Sequence, residues 1–225
     1  MSPADTDTDE LLRSAGLGDE AARTELLARH RDRLRRMVAV RIDRRLASRV
    51  DPSDVVQEAL ADAAGKLGDY LRDRPLPFYP WLRQVAWLRL IQLYRHHVVA
   101  QRRSVDREVP AEPPIADASA HVLAAACLAA GGSTPSRALI REELLDRVHA
   151  ALARLDPRDR EVLVMRHLEG MSSAEVGAVL LINEGAVRAR LVRALKRLQG
   201  LLEQDNHGDP ETIRETFSMT ILIKS

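Results

Sequence analysis

The 225 residues are 45% hydrophobic and carry 34 basic and 33 acidic side chains, so the chain is nearly neutral. A chain of this length can bury one or two ordinary cores, and any affinity for nucleic acid must come from local patches of charge. The single cysteine, Cys127, excludes an intramolecular disulfide. The longest apolar run, Val122 to Ala130, is too short to span a bilayer. We therefore expect a cytoplasmic globular protein without membrane insertion.

Nearly every periodic segment has the helical period and none alternates as a strand does, so the predicted fold class is all-α. The first predicted helix is long and arginine-rich and runs from about Glu20 to Arg49. The second begins after Asp51, which is a good N-cap because Pro52 follows it at the first helical position. Two glycines, Gly65 and Gly68, predict fraying near its end.

A proline-containing loop follows, and the third predicted helix runs from about Trp81 to His97. These helices form a first domain at 20–100. Residues 101–135 have the proline, glycine and small-residue composition of a flexible linker. A second small helical domain is predicted at 136–202, where Asp156 and Pro157 start a helix, and the tail at 203–225 matches no pattern that we can interpret.

The second domain contains the pattern of a helix-turn-helix. Ser172 is an N-cap, and Glu175 lies three residues later, where it completes a capping box. After a turn, Asn183 is a good N-cap for a second helix. Its apolar side is predicted from spacings of four and three residues: Val187, Leu191, Leu195 and Leu198.

The opposite side of this second helix is basic, with five basic residues and one acidic residue between Glu184 and Gln199. Arginines on an amphipathic helix are often only a solvated surface. The order of a capped helix, a turn and a basic helix nevertheless favours a DNA-recognition helix. The candidate DNA-binding residues here are Ser172, Arg188, Arg190, Arg193 and Lys196.

An acidic face is predicted on the helix that follows Asp51, because Asp51, Asp54, Glu58 and Asp62 recur at spacings of three and four. Part of this pattern has a structural explanation. Asp51 and Asp54 lie near the positive end of the helix dipole, and Lys66 can pair with Asp62. We favour a docking surface for a basic partner protein. Its candidate contact residues are the first three of these carboxylates and the neighbouring glutamine. We call this set the acidic stripe: Asp51, Asp54, Gln57 and Glu58. An exposed helical face without histidine ligands is poorly suited to catalysis or metal binding.

Six of the seven aromatic residues fall between Tyr70 and Tyr94, interleaved with Arg83, Arg89 and Arg95. Bases of a single strand could stack on such a surface while arginines hold the backbone. Phe78 and Trp81 are predicted to belong to the core instead. We find no nucleophile motif and expect no catalytic residue, metal site or cofactor.

Three runs resemble motifs of one protein family, in the correct order. Asp51–Glu58 resembles the region 2 motif that docks on the β′ clamp helices of RNA polymerase, and Phe78–Ala86 resembles the segment leading into promoter melting and −10 recognition. Leu155–Leu163, with Leu168–Ser172 and Gly185–Leu191, resembles region 4, which reads the −35 element and meets the β flap. The chain is thus similar to the extracytoplasmic-function (ECF) sigma factors, sigma-70-family members with only regions 2 and 4.

This resemblance implies a sigma factor, not an enzyme, that binds core polymerase through the acidic stripe. It implies −10 engagement near Arg83, Arg89 and Arg95, −35 recognition by the basic helix, and an anti-sigma factor as a further partner. Leu181 departs from the family, because many members have glycine at this turn; either the turn is right-handed here or the recognition helix is reoriented. Two other interpretations stay open: a stand-alone helix-turn-helix regulator, and a helical adaptor that binds only proteins.

Overall fold

The computed structural model describes residues 3–42, 50–101, 147–148 and 150–204. They are helical apart from short connections, without a strand in these ranges, which confirms the all-α prediction. The chain divides into two compact units, Met1–Pro114 and Ile115–Ser225. Apart from Gln101, the predicted linker at 101–135 lies outside the described residues, as does the tail beyond Gln204. No helix in the described part is long and apolar enough to cross a membrane.

Five helices form the described part of the first unit: α1 (Pro3–Gly16), α2 (Glu20–Arg29), α3 (Arg31–Arg41), α4 (Pro52–Asp73) and α5 (Phe78–Gln101). Helix α4 is central, since it packs against each of the other four. Its buried side consists of Val55, Val56, Ala59, Ala63, Leu67 and Tyr70. Full burial of a valine or leucine side chain contributes about 1.5–3 kcal/mol, so this stripe supplies much of the stability of the unit.

Helix α4 begins as predicted, because the side chain of Asp51 accepts a hydrogen bond from Ser53 N at 2.7 Å and Pro52 needs no partner there. The predicted fraying near Gly65 and Gly68 is wrong. The helix continues to Asp73, since the burial of Leu67 and Tyr70 holds its last turns against the core.

The single helix predicted from Glu20 to Arg49 is also wrong, because α2 and α3 are separate helices that meet at His30. No glycine or proline marks this break. The His30 ring is buried beside Phe78 and Tyr79, with centroid distances of 5.3 and 5.7 Å. Tertiary packing therefore overrides the continuous helical period at this point.

The start of α5 and the presence of α1 also differ from the predictions. Helix α5 starts at Phe78 rather than Trp81, and Pro80 is buried in its first turn, where a missing N–H costs no helical hydrogen bond. Helix α1 was not predicted at all. It packs against α2 and α4 through Leu12 and Ala15, which are buried.

The second unit contains helical residues at 150–154, then α6 (Pro157–Leu163), α7 (Ser173–Leu180) and α8 (Glu184–Gln204). Asp156 caps α6 as predicted by accepting a hydrogen bond from Arg158 N at 2.9 Å. A π-helical turn, Val164–Leu168, extends α6. The core is formed mainly by Leu152, Val162, Leu163, Met165, Met171, Val176, Val187, Ala194 and Leu198.

Candidate docking and nucleic-acid surfaces

The acidic stripe consists of the N-cap and residues in the first two turns of α4, and all four of its side chains are exposed. Asp51 is engaged in capping the helix. Asp54 and Gln57 make no ion pair or side-chain hydrogen bond within the part of the chain that the structure describes. The helix thus buries Val55 and Val56 on one side and presents two unengaged polar groups on the other.

Glu58, the fourth residue of the stripe, is bound to Arg89 of α5. The Arg89 Nε and Nη2 atoms lie 2.7 and 2.6 Å from the same carboxylate oxygen, Glu58 Oε2. The side chains are 48% and 32% exposed, so water screens the pair in part. One predicted polymerase-binding residue and one predicted DNA-binding residue are therefore partners in the free chain.

The other two basic candidates on α5 differ in exposure, because Arg95 is exposed whereas Arg83 is only 7% exposed. The guanidinium carbon of Arg83 lies 6.0 Å from the centre of the Trp87 ring, and that of buried Arg41 lies 5.5 Å from it. Cations at such distances interact favourably with an indole face. Two arginines therefore hold the half-exposed ring of Trp87.

Most of the aromatic residues pack against one another rather than facing solvent. Tyr70 stacks on Trp81 at a centroid distance of 4.4 Å, and Phe78 contacts both rings. Tyr70, Phe78 and Tyr79 are buried, and Trp81 is half-buried. Burial raises the pKa of Tyr70 above 10.0, with a smaller lowering by Arg74 and a further raising by Asp9. Among the described aromatic residues outside this cluster, Trp87 and Tyr94 are partly exposed.

The helix-turn-helix forms as predicted in the second unit. Ser172 Oγ accepts from Glu175 N at 3.1 Å, and Glu175 Oε2 accepts from Ser172 N at 2.7 Å, which completes the capping box. Asn183 Oδ1 accepts from Ala186 N at 2.8 Å and caps α8. The structure also resolves the question of the turn, because Leu181 has φ 56° and ψ 40°. The right-handed alternative for this residue is wrong.

Gly177 allows this tight turn to close over α7. Its carbonyl accepts a hydrogen bond from Ile182 N at 3.0 Å. A Cβ atom at Gly177 would lie 2.6 Å from Ile182 O, which is closer than real Cβ contacts come. This requirement was not predicted from the sequence, although a glycine inside a helical pattern can have a packing reason.

The basic residues of α8 fall into two groups. Arg188, Arg193 and Lys196 are exposed, and Arg188 makes only a 3.8 Å contact with Glu184 of the preceding turn. By contrast, Arg190 and Arg197 lie 3.9 and 3.2 Å from the two carboxylate oxygens of Asp159 on α6.

Asp159 was not predicted from the sequence as part of this surface. Its side chain is 11% exposed and joins the recognition helix to α6 from within the motif Leu155–Leu163. Its two oxygens contact arginines about two turns apart on α8. The sequence shows only a carboxylate in the first turn of a helix. Acidic residues are common there because they interact favourably with the helix dipole, so this position does not by itself predict an ion pair with α8.

The described residues contain no group of three or more His, Cys, Asp or Glu side chains placed to hold a metal ion. The arrangement instead consists of an acidic surface in the first unit and a basic helix in the second. Both are chemically suited to macromolecular partners of opposite charge.

The second unit matches a known protein family. The family described as sigma-70, region 4, matches residues 145–198, which include the whole helix-turn-helix. The solved structure of CnrH in complex with the cytosolic domain of CnrY superimposes with a TM-score of 0.51 at 27% identity, covering 89% of this chain and 99% of CnrH.

Curated relatives extend the similarity through the first unit. The RNA polymerase sigma factor CnrH of Cupriavidus metallidurans is 32% identical over 92% of this chain and 99% of its own length. The RNA polymerase sigma-H factor of Pseudomonas aeruginosa is 33% identical over 68% of this chain and 76% of its own. The ECF RNA polymerase sigma-E factor of Escherichia coli is 28% identical over 83% and 89%. This chain belongs to the ECF sigma factors of the sigma-70 family, which direct transcription initiation, rather than to the stand-alone regulators.

Proposed function

We propose that this sigma factor binds core RNA polymerase through the acidic stripe and directs it to promoters through −10 and −35 contacts. The exposure of the stripe carries the proposal, since it places polar groups on the side of α4 that the core of the unit does not use. A regulator that binds duplex DNA alone has no need of such a surface. By family resemblance, the receiving sites are the β′ clamp helices for the stripe and the β flap for the second unit.

Within the stripe, Asp54 and Gln57 are the residues best placed to meet a basic partner. Neither has to leave an existing ion pair, whereas Glu58 must first give up Arg89. Asp51 contributes charge while its capping bond holds the first turn in shape. Complementary charges at such a surface accelerate encounter and fix the orientation of the partner.

The −35 element is read by the outer face of α8. Arg188 and Arg193 are exposed, and their guanidinium groups can donate two hydrogen bonds to the O6 and N7 acceptors of guanine. Lys196, also exposed, can bind a phosphate. Between them, Val192 is 51% exposed and offers an apolar contact to a thymine methyl group. Arg190 acts mainly as a positioning residue through Asp159. The Ser172 hydroxyl, which accepts the capping bond, can still donate to a phosphate.

The −10 element is engaged by α5. The exposed part of Trp87 gives an unstacked base a ring to stack on, which is worth about 1–3 kcal/mol for each stacked base. Arg83 supports this ring from within the fold. Arg89 and Arg95 supply charge for the backbone of the strand.

A protein partner that controls the free sigma factor is part of the proposal. The solved complex of CnrH with the cytosolic domain of CnrY supports it, because CnrH matches this chain over nearly its whole length. For this chain we infer an anti-sigma factor that competes with core polymerase. A chain that acts on polymerase and promoter DNA works in the cytoplasm, and it contributes no catalytic residue of its own.

Association with sigma-free core polymerase tests the proposal. Asp54→Lys reverses a charge in the stripe without breaking an internal contact, so we expect at least about tenfold weaker association. Asp69→Lys is the control, because it makes the same change on α4 about 22 Å further along the helix axis and breaks only a fully solvated pair with Arg72, which contributes little to stability. We expect the control to bind like the wild type, and circular dichroism verifies the helical content of each chain.

Association that Asp54→Lys loses and Asp69→Lys keeps supports the proposed docking. Equal loss in both variants would assign the effect to overall charge. A wild-type chain that ignores core polymerase but binds duplex DNA tightly by itself would overturn the proposal in favour of the stand-alone regulator.

A further inference from the structure

Leu88 of α5 is a large apolar side chain that the fold leaves 50% exposed. Its neighbours in sequence pack toward two other helices. The Trp87 ring contacts Arg41 of α3, and Arg89 pairs with Glu58 of α4. Successive residues of an α-helix project about 100° apart. Leu88 therefore projects to solvent, away from both α3 and α4.

A single exposed leucine needs no explanation, but Leu88 belongs to a patch. Ile91, which is half-buried, lies three residues after Leu88 and four after Trp87, and residues at these spacings are neighbours on a helix surface. We call these three residues the α5 apolar patch: Trp87, Leu88 and Ile91. Two exposed glutamines, Gln84 and Gln92, lie one turn to either side of Leu88. The patch thus has an apolar centre with an amide group at each end.

The charge of α5 indicates what kind of molecule covers the α5 apolar patch. The 24-residue helix contains three arginines and no aspartate or glutamate. Such a helix is complementary to a polyanion. The glutamine amides both donate and accept hydrogen bonds, as the edges of nucleobases do. An unstacked base of a DNA strand therefore suits the patch, whereas a phosphate would find no partner at its apolar centre.

We propose that Leu88 makes the α5 surface selective for thymine. The inference rests on the proposed function, since it names the base that the −10 surface prefers. A base that stacks on the exposed part of Trp87 brings its edge to Leu88, which contacts the C5-methyl group. Thymine carries this methyl group, and cytosine and uracil lack it. Burial of one methyl group changes affinity by about fourfold.

Single methyl groups in the DNA test the inference. Single strands that bind the holoenzyme, which is core polymerase with this chain bound, but not core polymerase alone, are selected from a random pool. Each thymine of a selected strand is then replaced singly by uracil. For the wild-type chain we expect one thymine at which uracil weakens binding by about fourfold. At that position 5-methylcytosine should bind more tightly than cytosine by about the same factor, because it restores the methyl group.

Variants of Leu88 show whether this residue reads the methyl group. Leu88→Ala removes the apolar contact while preserving helix propensity, so it should bind thymine and uracil equally at that position. Leu88→Met keeps an apolar side chain and should keep most of the preference. Leu17→Ala is the control, because Leu17 is an exposed leucine outside α5, and its preference should match that of the wild type. Each ratio compares two strands on one protein, so a change in stability does not alter it.

Two results would overturn the inference. These are a wild-type holoenzyme that distinguishes thymine from uracil at no position, and a preference that Leu88→Ala retains. Weaker association of Leu88→Ala with core polymerase, with an unchanged ratio of thymine to uracil binding, would instead identify the α5 apolar patch as a protein contact. Failure of the proposed function appears separately, as a wild-type chain that does not associate with core polymerase, and the inference would then fall with it.

Discussion

Leu181 occupies the left-handed region that glycine adopts most easily, and its side chain is 87% exposed. This conformation costs a residue with a Cβ atom about 1–2 kcal/mol. Replacement by glycine relieves that strain and loses few contacts. The greater conformational entropy of glycine in the unfolded chain offsets part of the gain, by about 0.5–1 kcal/mol. We expect Leu181→Gly to stabilise the second unit by up to about 1 kcal/mol, measured by thermal unfolding.

Leu17 offers a matched control, since it is 90% exposed and lacks a positive φ. Leu17→Gly relieves no strain and should be neutral or slightly destabilising. A loss of stability in Leu181→Gly would mean that this side chain makes contacts that its exposure does not reveal.

Gly177 presents the opposite case, a glycine that cannot be replaced. A methyl group there would press on the carbonyl oxygen of Ile182, which is rigid backbone. We expect Gly177→Ala to destabilise the second unit by about 1–3 kcal/mol, as overpacking does. Gly200→Ala is the control, because nothing lies within 4 Å of its added Cβ and alanine favours a helix by about 1 kcal/mol. Opposite shifts in thermal midpoint are expected; parallel shifts would contradict the steric argument.

Tyr70 links burial to pH in the first unit. Its hydroxyl donates to Leu76 O at 3.0 Å, so Tyr70→Phe should cost about 0.5–1.5 kcal/mol near neutral pH. Burial raises the pKa of Tyr70 above its ordinary value of 10.0, so the folded chain holds the phenol proton more tightly than the unfolded chain. The resulting stability is fully present below pH 10.0 and is lost as pH rises through the folded pKa.

The cost of Tyr70→Phe should therefore shrink above pH 10.0, because the variant has no phenol to ionise. Chemical unfolding of both chains across this range measures the difference. A cost that stays constant with pH would show that the phenol is not held in its neutral form by the fold.

At the scale of elements, the start of a helix could be predicted from the sequence wherever an N-cap residue precedes it. The starts at Asp51, Asp156, Ser172 and Asn183 all follow from side chains that bond to backbone within three residues. Helix ends and breaks were less predictable. The break at His30 depends on rings contributed by a distant segment, and periodicity carries no information about such packing.

The candidate sites show the same limit. Sequence could mark Arg83, Arg89, Arg188 and Arg190 as basic residues on helices, but it could not show which of them are engaged within the fold. Arg83 is buried, and Arg89 and Arg190 lie beside carboxylates of other helices. The two residues of each pair are 31 positions apart in the sequence. No local pattern specifies them.

The pair between Glu58 and Arg89 couples α4 to α5, and its energy can be measured. A double-mutant cycle with Glu58→Gln and Arg89→Gln should give a coupling of about 0.2–1 kcal/mol, because the pair is partly exposed. High salt should reduce the coupling. The corresponding cycle at Asp69 and Arg72, which are both 72% exposed, should give a smaller value.

If the acidic stripe binds polymerase as proposed, a basic group of the polymerase must displace Arg89 to reach Glu58. Arg89→Gln removes the competitor and should tighten association with core polymerase by up to about fivefold, which corresponds to 1 kcal/mol. Weaker association in this variant would show that Arg89 supports docking rather than competing with it.

For the whole molecule, the near balance of 34 basic and 33 acidic residues conceals two surfaces of opposite charge, one in each unit. The acidic stripe belongs to Met1–Pro114, and the basic helix α8 belongs to Ile115–Ser225. If docking and promoter reading are separate steps, a chain that has lost only one of them should behave differently in a mixture with the wild type.

We therefore expect opposite results from two variants added to wild-type sigma factor and limiting core polymerase, with transcription measured from a promoter selected by the wild-type holoenzyme. The variant Arg188→Ala, Arg193→Ala keeps the acidic stripe, so it occupies polymerase unproductively and should lower transcription to roughly half at equal concentration, by mass action. Asp54→Lys cannot compete for polymerase and should leave transcription unchanged. Inhibition by both variants would mean that the stripe is not the docking surface. Inhibition by neither would mean that α8 is itself needed to hold the polymerase, and the two roles would not be separable between the units.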